Sequence, residues 1–299
     1  MHKKWEIFFI HNSSLSSCFH CTGNTYCNYK GFFLFAVVPF YVCIATSITS
    51  SGELASTMSF IWWPKDGVDF SSFYTVLFDD MFAATELPSL ILGFLNTLWI
   101  ALISVTGRLF FSGLAAFAYA KLDFKWKDKL FMFELATMMV PTVCMVMTSY
   151  MFYRTLGWTD SFLPVIIPGL FGNATMILFL RGFFESIPDS LIEAARMDGL
   201  GTLGCYIKIM IPLSVPAYVA QLIFGFLGVY NAYTGPLLYL TQDHQMTLQL
   251  ALTQITEAYP NYANVKCAAA IIGLAPMVIV FLACQKFFIE GLSAGSVKG

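Results

Sequence analysis

Long runs of apolar residues separated by short polar stretches dominate the pattern of this chain. Crossing the hydrocarbon core of a bilayer takes about 20 apolar residues in a helix. Windows of that kind, free of unpaired charge, occur about six times, near residues 32–48, 91–118, 130–150, 162–180, 211–240 and 267–288. The pattern predicts an all-α integral membrane protein with about six transmembrane helices.

The composition agrees with a membrane location. Hydrophobic residues make up 58% of the chain and charged residues only 11%. A soluble domain of this size could not bury that share in one core, so we expect the lipid bilayer to surround the protein. The net charge of -2 provides no basic surface to neutralise a nucleic-acid backbone, so no nucleic-acid partner is expected.

Lysine and arginine fall on one side of the predicted membrane. Lys121, Lys125, Lys127 and Lys129 follow the second span, and alternation places the other cationic segments on the same side. The segments on the opposite side are rich in aspartate and glutamate. Because short cytoplasmic loops carry the excess of positive charge, we predict that both termini are cytoplasmic.

The beginning of the chain differs from the rest. We predict an N-terminal cytoplasmic tail over residues 1–30 and a transmembrane domain over residues 31–299, with no cleavable signal peptide. Cys18, His20, Cys21 and Cys27 include a Cys-x-x-Cys spacing that zinc accepts. The alternative is a poorly ordered tail without metal; this is the interpretation adopted, so no metal or cofactor is assigned.

Two ionisable residues, Arg108 and Glu134, lie within predicted spans. Burying a charged group in a membrane is costly unless the group is paired or reaches water. An ion pair between spans two and three is therefore one hypothesis. In the alternative, Arg108 lines an aqueous vestibule and Glu134 reaches the membrane interface.

A polar stretch at about residues 185–212, which we call the elbow, separates the fourth and fifth predicted spans. Asp189 or Ser190 can cap a helix there, and Ser190 with Glu193 has the S-x-x-E spacing of a capping box. That helix would end at Gly199, because glycine tolerates the backbone that terminates helices.

The second half of the elbow is predicted to be another short helix. Gly199 and Gly201 allow a sharp turn, the helix runs through Tyr206 and Ile209, and Pro212 starts the fifth span. The product is a helix-turn-helix on the cytoplasmic membrane surface. Its apolar side chains are available to fill a groove in another protein: Leu191, Ala194, Ala195 and Met197.

The elbow resembles the signature loop of the permease subunits of ABC importers. Glu193-Ala194-Ala195 is followed by Asp198-Gly199 and, further on, by an isoleucine and the pair Pro212-Leu213. Other stretches, such as Leu180-Arg-Gly-Phe-Phe and the tail from Phe288 to Gly299, are similar to the carbohydrate branch of that family, the maltose-type, binding-protein-dependent permeases. The resemblance extends from about residue 88 to the end.

This resemblance implies the membrane-spanning subunit of an ATP-driven sugar importer in a bacterial inner or plasma membrane, working by alternating access. It also implies three partners: a cytoplasmic ABC ATPase dimer, a second homologous permease and an extracytoplasmic sugar-binding protein. The elbow would transmit closure of the ATPase to the spans. The coupling residues so implied are Glu193, Ala194, Ala195, Asp198, Gly199, Tyr206, Ile209 and Pro212.

The chain is not expected to be an enzyme, because it has no Gly-x-x-x-x-Gly-Lys-Ser/Thr phosphate loop. It departs from the family pattern at three places: Leu200 replaces alanine, Cys205-Tyr206 replaces Ile-Phe, and Tyr230-Asn231-Ala232 replaces Trp-Asn-Asp. The second departure bears on how the second short helix packs. The third puts in doubt any role for an acidic residue in the pathway.

Aromatic and amide side chains of the fifth predicted span are candidates for the substrate pathway, because aromatic rings stack on sugars and amides hydrogen-bond to them. These are Phe224, Tyr230, Asn231 and Tyr233. For any one of the aromatics, simple packing in the bundle is the alternative. The alternative for the whole protein is a self-contained secondary transporter or channel.

Overall fold

The computed structural model describes residues 35–56, 61–78 and 87–296, with side chains in the last helix described up to residue 285. The N-terminal tail and its cysteine cluster lie outside these residues, as does the C-terminal end of the tail used for the resemblance. Within the described residues all regular structure is helical.

Fourteen described helices are numbered here in chain order, in addition to a single 3₁₀ turn at Asp243–Gln245. They are α1 (Phe35–Ser47), α2 (Ser51–Ser56), α3 (Ser71–Phe78), α4 (Ser89–Lys121), α5 (Lys127–Thr137), α6 (Thr142–Thr155), α7 (Leu163–Leu170), α8 (Ala174–Glu185), α9 (Asp189–Met197), α10 (Thr202–Leu213), α11 (Val215–Tyr230), α12 (Thr234–Tyr239), α13 (Leu248–Ala258) and α14 (Ala263–Ser296).

Three stretches are long and apolar enough to cross a bilayer: α4, Leu163–Glu185 over α7 and α8, and Ala263–Gln285 within α14. Two bent pairs also qualify, α5 with α6 at 92° and α10 with α11 at 83°. By length and composition, the described residues therefore contain three candidate spans, or up to five if each bent pair is one span, and α1 is apolar but shorter. The prediction of an all-helical protein with membrane-spanning helices is confirmed in this part of the chain, whereas the count of six stays a prediction.

Prolines accompany both bends. Pro141 directly precedes α6, and Pro216 lies in the first turn of α11. A proline lacks the backbone N–H that continues a helix, but it is accepted in a first turn. The sequence predicts that Pro212 starts the fifth span, but Pro212 lies in the last turn of α10 and α11 begins at Val215. The π-helical turn just before it, Tyr206–Met210, provides the local widening that a proline ring requires.

Helix α4 is the centre of the larger of two compact units, whose described residues are 74–78, 87–258 and 272–296. The buried positions of α4 recur every three or four residues and many are small, among them Gly93, Thr97, Ala101, Ser104, Gly113 and Ala116. Small side chains let helices approach closely, and α7, α8, α11 and α13 all pack against α4. The hydroxyl oxygen of Thr97 also accepts the N–H of Leu248 at 2.9 Å, which fixes the start of α13.

The described residues of the smaller unit are 35–56, 61–73 and 259–271. Its loop after α2 is held by Glu53, which is only 6% exposed. The carboxylate accepts the backbone N–H of Lys65 at 3.0 and 3.2 Å and that of Asp66 at 3.4 Å. A buried carboxylate requires such donors, so part of the acid-rich segment after the first predicted span is ordered by one of its own acids.

Gly93→Ala should destabilise the larger unit, because a Cβ at this position would lie 2.9 Å from the backbone carbonyl carbon and oxygen of Thr247. Overpacking of this kind costs about 1–3 kcal/mol. Gly228→Ala is the matched control, since a Cβ there meets nothing within 4 Å. We expect a lower thermal unfolding temperature in detergent for the first variant only. Equal unfolding temperatures for the two variants would contradict the close contact.

Candidate functional site

The elbow is fastened to the end of α4 by Lys121. The ammonium group donates to the backbone oxygen of Ile187 and to Oδ1 of Asp189, each at 2.6 Å. The Lys121 side chain is 4% exposed, whereas that of Asp189 is 76% exposed. The lysine is therefore a buried link between a membrane-spanning helix and the first residue of α9.

Asp189 is the first residue of α9, where a negative charge interacts favourably with the helix dipole. The hydrogen bond from Lys121 lowers the pKa of Asp189, and the charge of Lys121 acts in the same direction. Because the pKa is lowered in the folded chain, the pair stabilises the start of α9 above the ordinary carboxyl pKa. That contribution is lost as the pH falls through the lowered value.

The predicted capping box is not formed. The residue before α9 is Pro188, and no side chain caps the helix. Ser190 is the second residue inside the helix, so its hydroxyl is not at the capping position. Glu193 consequently has no capping role in this structure.

The turn of the elbow is a Schellman motif centred on Gly199. The N–H of Leu200 donates to the oxygen of Ala195 and the N–H of Gly199 to that of Arg196, both at 3.0 Å. Gly199 has φ +85°, a left-handed conformation that favours glycine. Gly201 has φ -71° and ψ 170°, which any residue adopts. The prediction that the turn uses a backbone conformation favouring glycine is thus confirmed for Gly199 and wrong for Gly201.

Tyr206 fastens the second helix of the elbow to α4. Its side chain is fully buried. Its hydroxyl donates to the backbone oxygen of Phe110 at 3.1 Å and lies 2.9 Å from the hydroxyl of Tyr218. The ring packs beside Phe117, with centroids 5.6 Å apart. Gly113 makes room for this arrangement, because a Cβ there would collide with both tyrosine hydroxyls.

The two faces of α9 differ in exposure. Ile192 and Ala195 are buried in a core that also contains Cys205, Tyr206 and Met210 of α10 and residues of α4 and α8. Glu193, Ala194 and Met197 are exposed, and Met197 is 84% exposed. Ala195, predicted to be available to a partner, instead packs inside this chain, because it lies three residues after Ile192 on the same helical face.

The other members of the predicted coupling set are distributed along the turn and α10. Asp198 is exposed at the end of α9, Ile209 is half-buried, and Pro212 is exposed in the last turn of α10. The elbow thus has a buried face that contacts the membrane-spanning helices and an exposed face formed mainly by α9.

Arg108 and Glu134 do not meet. Nε of Arg108 donates to the backbone oxygen of Gly169 at 2.8 Å, because α7 packs beside this turn of α4. The ion pairs among the described residues do not include Arg108 with Glu134. Glu134 lies beside Tyr119 and lines a cavity of about 570 Å³ at the α5–α6 bend and the start of α8.

The four pathway candidates separate into two groups. Phe224, Asn231 and Tyr233 are exposed. Phe224 lies in α11, and Asn231, seven residues later, directly follows its last residue on the same side. Tyr230 is only 2% exposed, and its hydroxyl donates to the oxygen of Gly273 at 2.5 Å. Tyr230 therefore packs α11 against α14 in this structure, which corrects its assignment to the pathway.

Two contributors to the site were not identified from the sequence. In the sequence, Lys121 contributes only a positive charge on a predicted loop. Gly113 does not stand out among the glycines of the chain. A lysine at the end of an apolar run, with an aspartate at the start of a later helix, carries no signal for a specific pair. Their roles depend on α4 and the elbow being adjacent in space.

Residues 108–293, more than half of the chain and including the whole elbow, match the family described as binding-protein-dependent transport system inner membrane component. The chain belongs to this family. The permease is therefore a multi-pass component of the inner membrane and not an enzyme, since ATP hydrolysis in such systems belongs to a separate subunit. A self-contained secondary transporter or channel is not supported.

Individual relatives agree. The permease is 32% identical over 206 residues to the arabinooligosaccharides transport system permease protein AraQ of Bacillus subtilis (strain 168), covering 69% of this chain and 73% of that protein. It is 30% identical over 264 residues to the melibiose/raffinose/stachyose import permease protein MelC of the same organism, covering 88% and 91%.

The fold is also found in a crystal structure of a bacterial ABC transporter involved in the import of the acidic polysaccharide alginate. The TM-score is 0.73 at 24% identity, and the match covers 96% of this chain and 99% of that chain. At this identity the likeness is one of fold.

Gly199→Ala should weaken the turn of the elbow, whereas Gly201→Ala should not. A Cβ at either position meets nothing within 4 Å, so the two variants differ only in backbone conformation. A left-handed alanine costs about 1–2 kcal/mol. Hydrogen exchange of the amides of α9 and α10 should therefore increase in the first variant alone. Similar exchange in both variants would contradict the role of the left-handed turn.

Lys121→Met should loosen the start of α9, because it removes both hydrogen bonds of the ammonium group and leaves the Ile187 oxygen without its donor. A lost buried partner costs about 1–3 kcal/mol, so we expect roughly tenfold faster amide exchange in α9. Lys125→Met, at an exposed lysine nearby, is the control. Unchanged exchange in Lys121→Met would show that the pair does not hold the helix.

Proposed function

We propose that the permease is the membrane-spanning subunit of an ATP-driven sugar importer and that the elbow is its docking element for the cytoplasmic ATPase dimer. The names of the relatives support a sugar as the substrate class. The observation that carries the docking role is the two-faced elbow: Ile192 and Tyr206 are buried against the membrane helices, while Glu193, Ala194 and Met197 face outwards.

The proposed coupling mechanism follows from how the elbow is held. Tyr206 bonds to α4 through Phe110 and to α11 through Tyr218. Close-packed contacts transmit displacement rather than absorb it, so a push on the exposed face of α9 would reach both helices. Closure of the ATPase on ATP would thereby bias the permease between inward-open and outward-open states.

The proposed assembly includes a second, homologous permease and an extracytoplasmic sugar-binding protein. We also propose about six spans with both termini in the cytoplasm, which would place the elbow beside the ATPase. The distribution of lysine and arginine supports this orientation.

The exposed face of α11 is the proposed wall of the sugar pathway. Phe224 lies on it, and Asn231 and Tyr233 continue it beyond the end of the helix. An aromatic ring and an amide are side chains that contact the apolar face and the hydroxyls of a sugar. Tyr230, which is buried, is not part of this proposal.

The decisive experiment is purification of the tagged permease from native membranes in mild detergent, with mass spectrometry of the co-eluting proteins and an assay of ATP hydrolysis. We expect an ATPase and a second permease. A permease that elutes alone in several mild detergents, without ATPase activity, would overturn the proposal.

Glu193→Ala should reduce recovery of the ATPase about tenfold, the effect of losing one contact worth about 1–2 kcal/mol at an interface. Since Glu193 caps no helix, the loss would not come from an unfolded elbow. Asp128→Ala removes an exposed carboxylate from the first turn of α5, outside the elbow, and should leave recovery unchanged. Full recovery with Glu193→Ala would remove this residue from the docking surface.

A further inference from the structure

A cavity of about 320 Å³ opens at the end of α11 away from the elbow. Because α11 has 16 residues, about 24 Å of helix separates the two. The walls are formed by α12, the turn at Asp243–Gln245 and α13. Its polar lining residues are Tyr233, Thr241, Gln242, Asp243, Thr253, Gln254 and Glu257.

One side of the Asp243 turn is fixed by Asp160. The N–H of Asp160 donates to the oxygen of Tyr239 at 2.9 Å, and its carboxylate accepts the hydroxyl of Thr241. The side-chain amide of Gln245 donates to the backbone oxygen of Asp160 at 2.7 Å. Asp160 has φ +62°, a conformation that costs energy outside glycine and persists where surrounding contacts determine it.

The other side of the turn is fixed to α4. The side-chain amide of Asn96 donates to the backbone oxygens of His244 at 3.0 Å and Met246 at 2.9 Å. A wall held on both sides is already arranged for a ligand, so less ordering cost falls on binding.

The lining has the chemistry of a carbohydrate site. Tyr233 provides an aromatic ring, and Gln242, Thr253 and Gln254 provide amides and a hydroxyl. Oε1 of Gln254 is buried and has no hydrogen-bond partner among the described residues. This oxygen has almost no accessible surface, so a sugar in the cavity would be contacted instead by Tyr233, Gln242 and Thr253.

The lining has a single sign of charge. Among the described residues that line it, the charged ones are Asp243 and Glu257, and both are acidic. No lysine or arginine occurs anywhere between Ile209 and Val265, and His244, the histidine of this segment, is not one of the lining residues. An anionic sugar would meet two like charges and no partner.

We propose that this cavity is an entry subsite for uncharged sugar units and that Asp243 and Glu257 exclude acidic sugars. The inference rests on the proposed sugar-import function and narrows its substrate class. The same fold also occurs in a transporter involved in the import of an acidic polysaccharide, so the fold alone does not determine the charge of the substrate.

The test is calorimetric titration of the complex, purified without the binding protein, with neutral trisaccharides (maltotriose, raffinose and arabinotriose) and with trigalacturonate. We expect at least one neutral probe to bind at least about tenfold more tightly than the acidic one. Asp243→Asn with Glu257→Gln should tighten trigalacturonate binding by about tenfold or more, since each removes a repulsion at close range. Added salt should also tighten trigalacturonate binding to the unmodified complex, because it screens the same repulsion.

Asp66→Asn, which removes one exposed acid outside the cavity, is the control for net charge and should leave both affinities unchanged. If the double variant does not fold, the single variants Asp243→Asn and Glu257→Gln provide the same test. Equal or tighter binding of trigalacturonate to the unmodified complex, no response to either charge removal, or no binding of any probe would overturn the subsite. A preparation without the ATPase would instead overturn the proposed function.

Discussion

The hydroxyl of Tyr206 joins three parts of the permease: the elbow that carries it, the backbone of α4 at Phe110, and Tyr218 of α11. A buried phenol is costly unless its hydroxyl is hydrogen-bonded, so these partners fix the position of the ring as well as satisfy it. Gly113 is required underneath, because any side chain there would occupy the space of the hydroxyls. The elbow is thus a packed extension of the membrane helices rather than a loop lying on them.

A second attachment lies at the other end of the elbow. Lys121 reaches back from the last turn of α4 to Ile187 and Asp189, so α9 is held at its start and α10 at its middle. Between them, the Schellman turn at Gly199 satisfies the last carbonyls of α9 without help from a side chain. The contacts of Lys121 and Tyr206 and the turn at Gly199 hold the elbow from its buried side. The other face of α9 stays exposed, and a docking partner could bind there.

Charge is segregated along the same chain. The cationic residues gather around the elbow and the α4–α5 connection, while the segment from Ile209 to Val265 has none. This segment contains both the proposed pathway face of α11 and the cavity beyond it. On the proposed pathway, a translocated molecule would therefore meet no lysine or arginine from this segment.

The sequence by itself determined the helical membrane class, the location of the elbow and its left-handed glycine, because these depend on local properties: run length, composition and backbone freedom at one residue. It also carried the family signature. It did not determine which residues meet. Arg108 binds Gly169 rather than Glu134, Ala195 and Tyr230 face inwards, and Lys121 pairs with Asp189, 68 positions along the chain. Such contacts depend on the bends at the helix breaks and on which helix lies beside α4, and only the packing of the whole unit decides these.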